Sequence, residues 1–291
     1  MSKQEKYLVT GAAGYTSSYV IPALLEKGVQ VRGLVHKLDE RSAKLEAMGV
    51  EIVQGDLNDF YSVSEAMKGI TGVYFVYPIL TPGILPGTTY LIQAAREEGV
   101  RNIVNMSQIS ARREAKSNGA REHWLGERLL DLSGLKVTHI RPTFFAEWLI
   151  YSDSVKTSDQ VILPFGDGRY APIAAEDQGR VIAELLVNPE GHEGKIYPLF
   201  GPVEYNVSEL AEILSEELGR KISYVPISIE TYQTEAKKQG YHDHFIQHIS
   251  SVAQDCRNGL FAGTNTAVKD ITGREPIGIR EFIQSHRSYF E

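Results

Sequence analysis

The chain has 291 residues, of which 42% are hydrophobic, and a formal net charge of −7 at pH 7. This length supports a sizeable core in one large or two unequal domains, and the acidic balance argues against nucleic acid or an anionic membrane as the main partner. The single cysteine, Cys256, excludes an internal disulfide and suits a reducing compartment. No charge-free run reaches the length of a membrane span and the first residues lack a secretory signal, so we expect a cytoplasmic protein.

The first informative stretch is an apolar run, residues 6–9, that meets a glycine turn and then a helix predicted over residues 12–27. Gly11 permits a tight turn, and Gly14 lets a pyrophosphate lie against bare backbone at the start of the helix, where free N–H groups favour anions. The residues predicted to hold the pyrophosphate are Thr10, Gly11, Gly14, Tyr15 and Thr16. Ala13 and Ser17 stand where G-x-G-x-x-G has glycine, so the motif alone also fits an ordinary strand-to-helix turn.

Beyond the glycine turn, short apolar runs alternate with longer amphipathic segments up to about residue 150. Further strands are predicted over residues 29–35, 50–53, 72–76, 102–106 and 137–140, and helices over residues 40–48, 62–68, 86–98 and 120–132. Repeated strand–helix–strand units indicate a doubly wound parallel sheet of the Rossmann-like α/β class. Residues 1–150, with a returning segment at about 172–200, are the predicted NAD(P)-binding domain.

Ligands of such sheets lie beyond the carboxyl ends of the strands, so the residues just after each strand are the candidate site. His36, Lys37 and Arg41 follow the second strand and favour the extra phosphate of NADP, with NAD as the alternative because Asp39 and Glu40 lie close by. Asp56 and Leu57 are predicted at the adenine, although an aspartate there also fits a helix N-cap. The residues predicted toward the nicotinamide follow the next three strands: Tyr77, Pro78, Ser107 and Pro142.

Past residue 150 the alternation stops. Residues 162–168 are predicted as a turn, 176–186 as a helix and 195–200 as a strand returning to the main sheet. Helices over 207–218 and 279–287 surround residues 222–226, which indicates a smaller, interleaved α+β substrate domain of residues 151–171 and 201–291. Its cleft is predicted to be lined by Phe144, Phe145, Trp148 and Tyr151, with core packing as the alternative. No residues complete a recognised metal site around His242, His244 and His248, so no metal is predicted.

Taken together, these features resemble the NmrA-like members of the atypical short-chain dehydrogenase/reductase superfamily. That group includes NAD(P)H:quinone reductases, triphenylmethane-dye reductases and non-catalytic NADP sensors. The resemblance runs nearly end to end and rests on short segments, namely residues 10–14, 55–57, 107, 123–127, 141–147, 177 and 272–282. The chain departs from the family at His36, where arginine is common, and at Trp148, where asparagine is frequent.

Most short-chain dehydrogenases carry Tyr-x-x-x-Lys, in which the lysine lowers the pKa of the tyrosine so that it exchanges a proton with a carbonyl substrate. None of the 15 tyrosines here has a lysine four places on. In the matching helix stand His123 and Glu127, which share one helix face and form the candidate proton-donating pair. The alternative is that His123 only holds a loop or the nicotinamide amide in place.

The resemblance implies an NAD(P)H-dependent oxidoreductase that prefers NADPH. Without the tyrosine acid, the expected acceptor is an electrophilic small molecule such as a quinone, an iminium or a cationic dye, because these accept hydride readily. The alternative is a non-catalytic, NADP-sensing regulator that binds a partner protein. An epimerase or dehydratase that acts on nucleotide sugars is less favoured, because those relatives keep the tyrosine–lysine pair. The sequence leaves open whether the chain forms a homodimer.

Overall fold

The computed structural model describes residues 5–151 and 153–291. The first four residues, which the sequence analysis assigned to the NAD(P)-binding domain, lie outside the described residues, as does residue 152. The parallel strands predicted from the apolar runs form a seven-stranded sheet in this part of the chain. Numbered in chain order, they are β1 (Lys6–Val9), β2 (Gln30–Val35), β3 (Glu51–Gln54), β4 (Gly72–Phe75), β5 (Asn102–Met106), β6 (Val137–Pro142) and β8 (Ile196–Leu199).

The order of the strands creates a crevice above the sheet. The order is β3-β2-β1-β4-β5-β6-β8, and every neighbouring pair is parallel. Strands β2 and β3 therefore lie on one side of β1, and β4 and the later strands lie on its other side. Loops that follow β1 and β4 diverge at this reversal, which is where doubly wound sheets bind their ligands. The predicted doubly wound α/β fold is confirmed.

Helices cover both faces of the main sheet because its strands are apolar on both sides. The helices of this layer system are α1 (Ser17–Glu26), α2 (Glu40–Ala47), α3 (Phe60–Met67), α4 (Ile84–Glu98), α5 (Asn118–Leu132), α8 (Ala175–Val187) and α12 (Ala267–Thr272). One core joins α1, α8 and α12 to the sheet, and a second joins α3, α4 and α5 to its opposite face. The predicted helix over residues 12–27 starts only at Ser17, because the glycine turn occupies the residues before it.

A third hydrophobic core gathers residues from Phe144 to Phe290. Its elements are α6 (Trp148–Tyr151), α7 (Ser154–Ser158), β7 (Gln160–Leu163), α9 (Val207–Leu218), β9 (Ser223–Pro226), α10 (Ile229–Lys238), α11 (Asp243–Arg257), α13 (Ile279–Ser285) and a last 3-10 turn, Arg287–Tyr289. The domain boundary near residue 150 stays a prediction.

One predicted element is placed two residues too early. A turn is predicted over residues 162–168; the structure has the turn at residues 164–167, whereas residues 162 and 163 belong to β7, which pairs in parallel with β9. Val161 and Leu163 bury their side chains in the third core, whereas their strand partners lie some sixty residues further along the chain. A four-residue strand whose partner is that distant leaves little periodicity for a sequence pattern to reveal.

Candidate functional site at the carboxyl edge of the sheet

The glycine turn after β1 is built to leave its backbone open. Gly11 has φ +55°, a conformation that costs residues with a Cβ, and a Cβ on Gly14 would lie 2.9 Å from the carbonyl oxygen of Gly11. Thr10 is fully buried, and its hydroxyl donates to the carbonyl of Val76 and accepts from the Val76 N–H. The end of β1 is thereby tied to the end of β4 across the crevice. The Thr10 hydroxyl is thus used to hold the glycine turn against the loop after β4.

Helix α1 begins at Ser17, directly after the glycine turn, with Thr16 as its N-cap residue, and within the described chain no side chain caps this end. The N–H groups of Ser18 and Tyr19 already donate to the backbone carbonyls of Gly14 and Thr16, so a phosphate would be attracted mainly by the positive end of the helix dipole. Tyr15, just before the helix, is half-buried and its ring meets that of Tyr151 edge-on, with the centroids 5.8 Å apart.

The end of β2 presents basic side chains to solvent. His36, Lys37 and Arg41 are all exposed, and the Arg41 guanidinium reaches to 3.5 Å from the carbonyl oxygen of Ala13 in the glycine turn. Asp39, in contrast, caps α2: its carboxylate accepts from the N–H groups of Arg41 and Ser42 and from the Arg41 guanidinium. The hydrogen bond from Arg41 holds the pKa of Asp39 below its usual value. The Asp39 carboxylate is therefore already used within the protein, by the start of α2 and by Arg41.

The predicted adenine and nicotinamide positions lie along the same edge. The Asp56 carboxylate accepts from the N–H of Asn58 and stands 4.0 Å from His36, and Leu57 is buried. The Tyr77 hydroxyl accepts from the Asn58 amide and donates to the carbonyl of Pro82, while Pro78 is exposed. Tyr77 therefore orders the loop after β4. Its neighbours Pro78 and His123 line one small cleft together with Gly119 and His244.

Two hydroxyl groups at this edge lack partners. Ser107 follows β5 and Thr143 follows Pro142, the last residue of β6, and both are almost fully buried. Neither hydroxyl has a hydrogen-bond partner among residues 5–151 and 153–291. Buried hydroxyls normally find one, because an unpaired polar group costs about 1–3 kcal/mol. The unpaired hydroxyls of Ser107 and Thr143 suggest that this edge binds a polar ligand. A dinucleotide that lies across the crevice would place polar groups near these hydroxyls and its pyrophosphate near the glycine turn.

The predicted pair His123 and Glu127 does not form a hydrogen-bonded couple in the part of the chain that the structure describes. Glu127 is fully buried, and its carboxylate instead accepts two hydrogen bonds from the guanidinium of Arg141 on β6, one of them 2.8 Å long. Burial, and then the neighbouring His248, lower the pKa of His123 to about 3. His123 is therefore neutral at physiological pH and carries no excess proton to donate.

The four predicted cleft aromatics separate into two groups. Phe144 stacks between Phe165 and Phe261, with centroids 4.4 and 4.2 Å away, and is 6% exposed. Its ring is thus occupied by core packing on both faces. Phe145 and Trp148 are half-buried, and Tyr151 is 53% exposed. Trp148 and Tyr151 lie 6.4 Å apart and, with Tyr15, form what we call the aromatic wall, which runs from the glycine turn to the third core.

Sequence reasoning missed the most unusual carboxyl group near this wall. Glu147 follows the aromatic pair Phe144 and Phe145, is 1% exposed, and uses one oxygen to accept from the N–H of Ala175 at the start of α8. Its other oxygen has no partner among the described residues. Burial raises the pKa of Glu147 to about 7. The residue was visible in the sequence only as part of the 141–147 segment, and no local pattern signals its burial.

Neither a metal site nor a membrane segment emerges from the described residues. No group of three or more His, Cys, Asp or Glu side chains in residues 5–151 and 153–291 could hold a metal ion. His248, considered for such a role, is buried on α11 and shares a hydrogen bond of 2.7 Å with the Ser117 hydroxyl. Over the same residues, every helix is too short or too polar to traverse a bilayer.

The strand order and the glycine turn at its reversal define a Rossmann-type nucleotide-binding protein. The chain belongs to the NmrA-like family, whose model matches residues 3–261. The family predicted from the short motifs is confirmed.

Comparisons with individual proteins agree over nearly the whole length. The chain is 29% identical to NAD(P)H azoreductase of Xenophilus azovorans, covering 97% of this chain and 98% of the relative. The structure of the NADPH complex of the quinone oxidoreductase QOR2 of Escherichia coli superposes with a TM-score of 0.85 at 23% identity, covering 97% and 99% of the two chains. Citrobacter triphenylmethane reductase with NADP(H) gives 0.82 at 23% identity, covering 96% and 99%.

Proposed function

We propose that this protein is an NADPH-dependent reductase that passes a hydride to a flat, electrophilic small molecule, with a quinone or an azo compound as the first candidates. The observation that carries the proposal is the crevice at the strand reversal. It combines an uncapped helix start, a glycine turn without side chains and two buried hydroxyls that lack partners among the described residues. A dinucleotide pyrophosphate matches the first two features, and a polar nicotinamide group matches the third.

The charges at the end of β2 favour NADPH over NADH. NAD-binding proteins of this fold offer a carboxylate to the ribose hydroxyls, whereas NADP-binding proteins offer basic groups to the extra phosphate. At the end of β2 the Asp39 carboxylate is engaged in capping α2, and Arg41, Lys37 and His36 are exposed beside the turn. Arg41 and Lys37 would hold the phosphate, and the imidazole of His36 would offer a further hydrogen-bond partner beside them.

The lack of a tyrosine–lysine proton donor favours an acceptor that is itself electrophilic. When bound, the reduced nicotinamide supplies the hydride. The chain has no Tyr-x-x-x-Lys acid, and His123 is neutral with a pKa of about 3, so an unactivated ketone would lack a strong proton donor at this position. Acceptors that stabilise the added electrons depend less on such a donor. Three similar proteins, an azoreductase, a quinone oxidoreductase and a triphenylmethane reductase, are named for acceptors of this kind.

The acceptor would lie against the aromatic wall. Tyr151 is exposed, and Trp148 and Tyr15 are half-buried, so their rings offer flat apolar surface that stacks with a conjugated molecule. Phe144 is not part of this surface because both faces of its ring are occupied. His123 lines the small cleft beside Tyr77 and Pro78 and would act as a neutral hydrogen-bond partner rather than as an acid.

The test is a titration with NADPH and NADH, followed by addition of a quinone, an azo dye, a cationic triphenylmethane dye and a simple ketone. We expect tighter binding of NADPH and its oxidation by at least one conjugated acceptor. Gly11→Ala should weaken binding at least tenfold, whereas Gly28→Ala, at a comparable positive φ of +75° but with open space around it, should not.

Three results would count against the proposal. Failure to bind either nicotinamide dinucleotide would overturn it entirely. Tight NADPH binding without turnover of any acceptor would favour the non-catalytic regulator. Rapid reduction of the simple ketone without quinone or dye turnover would refute the acceptor class.

A further inference from the structure

The small cleft lined by Tyr77, Pro78 and His123 contains a carboxylate that the sequence analysis did not single out, that of Glu122. Glu122 belongs to α5 and is half-buried. Its side chain forms no hydrogen bond or ion pair with another residue of the ranges 5–151 and 153–291. The fold therefore does not use this carboxylate for its own packing, and a ligand in the cleft can pair with it.

The surroundings of Glu122 do not offset its charge. Among the described residues no lysine or arginine lines the cleft, and Arg121, the next residue along α5, donates instead to the Asn118 side chain at 2.7 Å. Burial lowers the pKa of His123 to about 3, so its imidazole is neutral. His244, in the first turn of α11, is the other imidazole in the lining. With histidines counted as neutral, the lining has a formal charge of −1 in a chain of formal charge −7.

Much of the remaining lining is apolar. Pro78, Ile79 and Ile84 supply this surface, and Ile84 is buried. Apolar walls displace water and lower the effective dielectric, so an unpaired carboxylate beside them attracts a cation more strongly than it would in bulk solvent. The ligand that matches Glu122 and these walls together is a largely apolar molecule with a positive charge.

We propose that Glu122 is a specificity-determining residue that makes the site prefer conjugated acceptors with a positive charge, such as a triarylmethyl cation or an iminium, over neutral or anionic acceptors of the same shape. This inference rests on the proposed reductase function. Tyr77 and Pro78, the residues proposed to face the nicotinamide, line the same cleft as Glu122. Because the cleft is small, it would receive one edge or substituent of the acceptor. Neutral quinones and azo compounds would still react, but without this attraction.

A cationic acceptor also needs no proton donor. The hydride forms a C–H bond at the electron-poor carbon, the acceptor is reduced to a neutral product, and the nicotinamide is oxidised, with no proton in the balance. A neutral quinone must gain one proton in addition to become the hydroquinone. His123 is neutral and the Glu127 carboxylate is bound to Arg141, so neither is a ready acid. The charge of the cleft and its lack of an acid thus favour the same class of acceptor.

The attraction to Glu122 weakens during the reaction. The positive charge of the acceptor disappears as the hydride arrives, so the carboxylate stabilises the bound substrate more than the transition state or the neutral product. Removing such an interaction raises KM and does not lower kcat. This separation of KM from kcat distinguishes charge selection from a structural role, because a distorted site would lower kcat as well.

The experiment uses two triphenylmethane dyes with one ring system, a cationic dye and a dye made anionic by sulfonate groups. Glu122→Gln keeps the shape of the side chain and removes its charge. We expect the KM of the cationic dye, divided by that of the anionic dye, to rise about tenfold, with kcat for the cationic dye not lowered. Glu46→Gln, which removes an exposed carboxylate of α2 that does not line the cleft, is the matched control and should leave this ratio unchanged.

Equilibrium binding tests the same selection without turnover. In protein saturated with NADP⁺, which has no hydride to transfer, the Kd of the cationic dye should rise about tenfold in Glu122→Gln, while the Kd for NADPH stays unchanged. Added salt should weaken binding of this dye to the wild type more than to the variant.

Two results would overturn the inference about Glu122. One is a KM ratio that is the same in the wild type and in Glu122→Gln, and the other is a lower kcat with KM unchanged. Absence of turnover with every acceptor in the wild type would instead refute the proposed function.

Discussion

The buried carboxyl of Glu147 predicts a pH-dependent stability that requires no substrate to measure. Its pKa rises from 4.5 to about 7 on folding, chiefly because burial disfavours the charged form. The folded-state pKa exceeds the unfolded one, so the associated stabilisation is complete below pH 4.5 and is lost as the pH rises through about 7. At 1.36 kcal/mol per pKa unit, the loss amounts to about 3 kcal/mol by pH 9.

The assay is urea unfolding of the wild type and Glu147→Gln at pH 5 and pH 9. The free energy of unfolding should drop between the two pH values by about 3 kcal/mol more in the wild type than in the variant. Asp177 also has a pKa raised by burial, but it is present in both proteins and contributes to both differences. Parallel pH profiles of the two proteins would refute the argument that Glu147 is buried as a neutral acid.

Three further outcomes follow from contacts at the site. Arg41 lies beside the glycine turn. Arg41→Ala should raise the Kd for NADPH about tenfold and leave that for NADH unchanged, because the proposed charged contact with the extra phosphate of NADPH would be lost; an equal loss for both cofactors would contradict this role. Glu127→Gln should lower the free energy of unfolding by about 3 kcal/mol, because it removes the charge of a fully buried carboxylate from its ion pair with the half-buried Arg141, whereas Glu65→Gln, in an exposed pair, should cost less than about 1 kcal/mol. Gly83→Ala should lower the melting temperature, since its Cβ would lie 2.3 Å from the Tyr77 hydroxyl at φ +126°; Tyr77→Phe in the same chain should recover part of the loss if that clash is the cause.

The sequence by itself determined most of the sheet and the position of the crevice. β1, β5 and α9 begin and end where their patterns predict, because a continuous apolar run or a 3.6-residue period is a local property of the chain. The glycines of the turn were informative for the same reason. The positive φ at Gly11 is a local backbone conformation that favours glycine, whatever the rest of the chain does. The family followed from the order of such short segments along the chain.

Only the tertiary structure decided the chemistry of the individual side chains. His123 and Glu127 share a helix face as their spacing requires, yet Arg141 from β6 takes the carboxylate and burial neutralises the imidazole. β7 exists because a strand sixty residues later pairs with it. Glu147 acquires its raised pKa from burial at the start of α8 and from Asp177 of that helix, which lies some thirty residues further along the chain. A pKa depends on every group that folding brings near and on the water it removes, and neither is written in the spacing of residues along a chain.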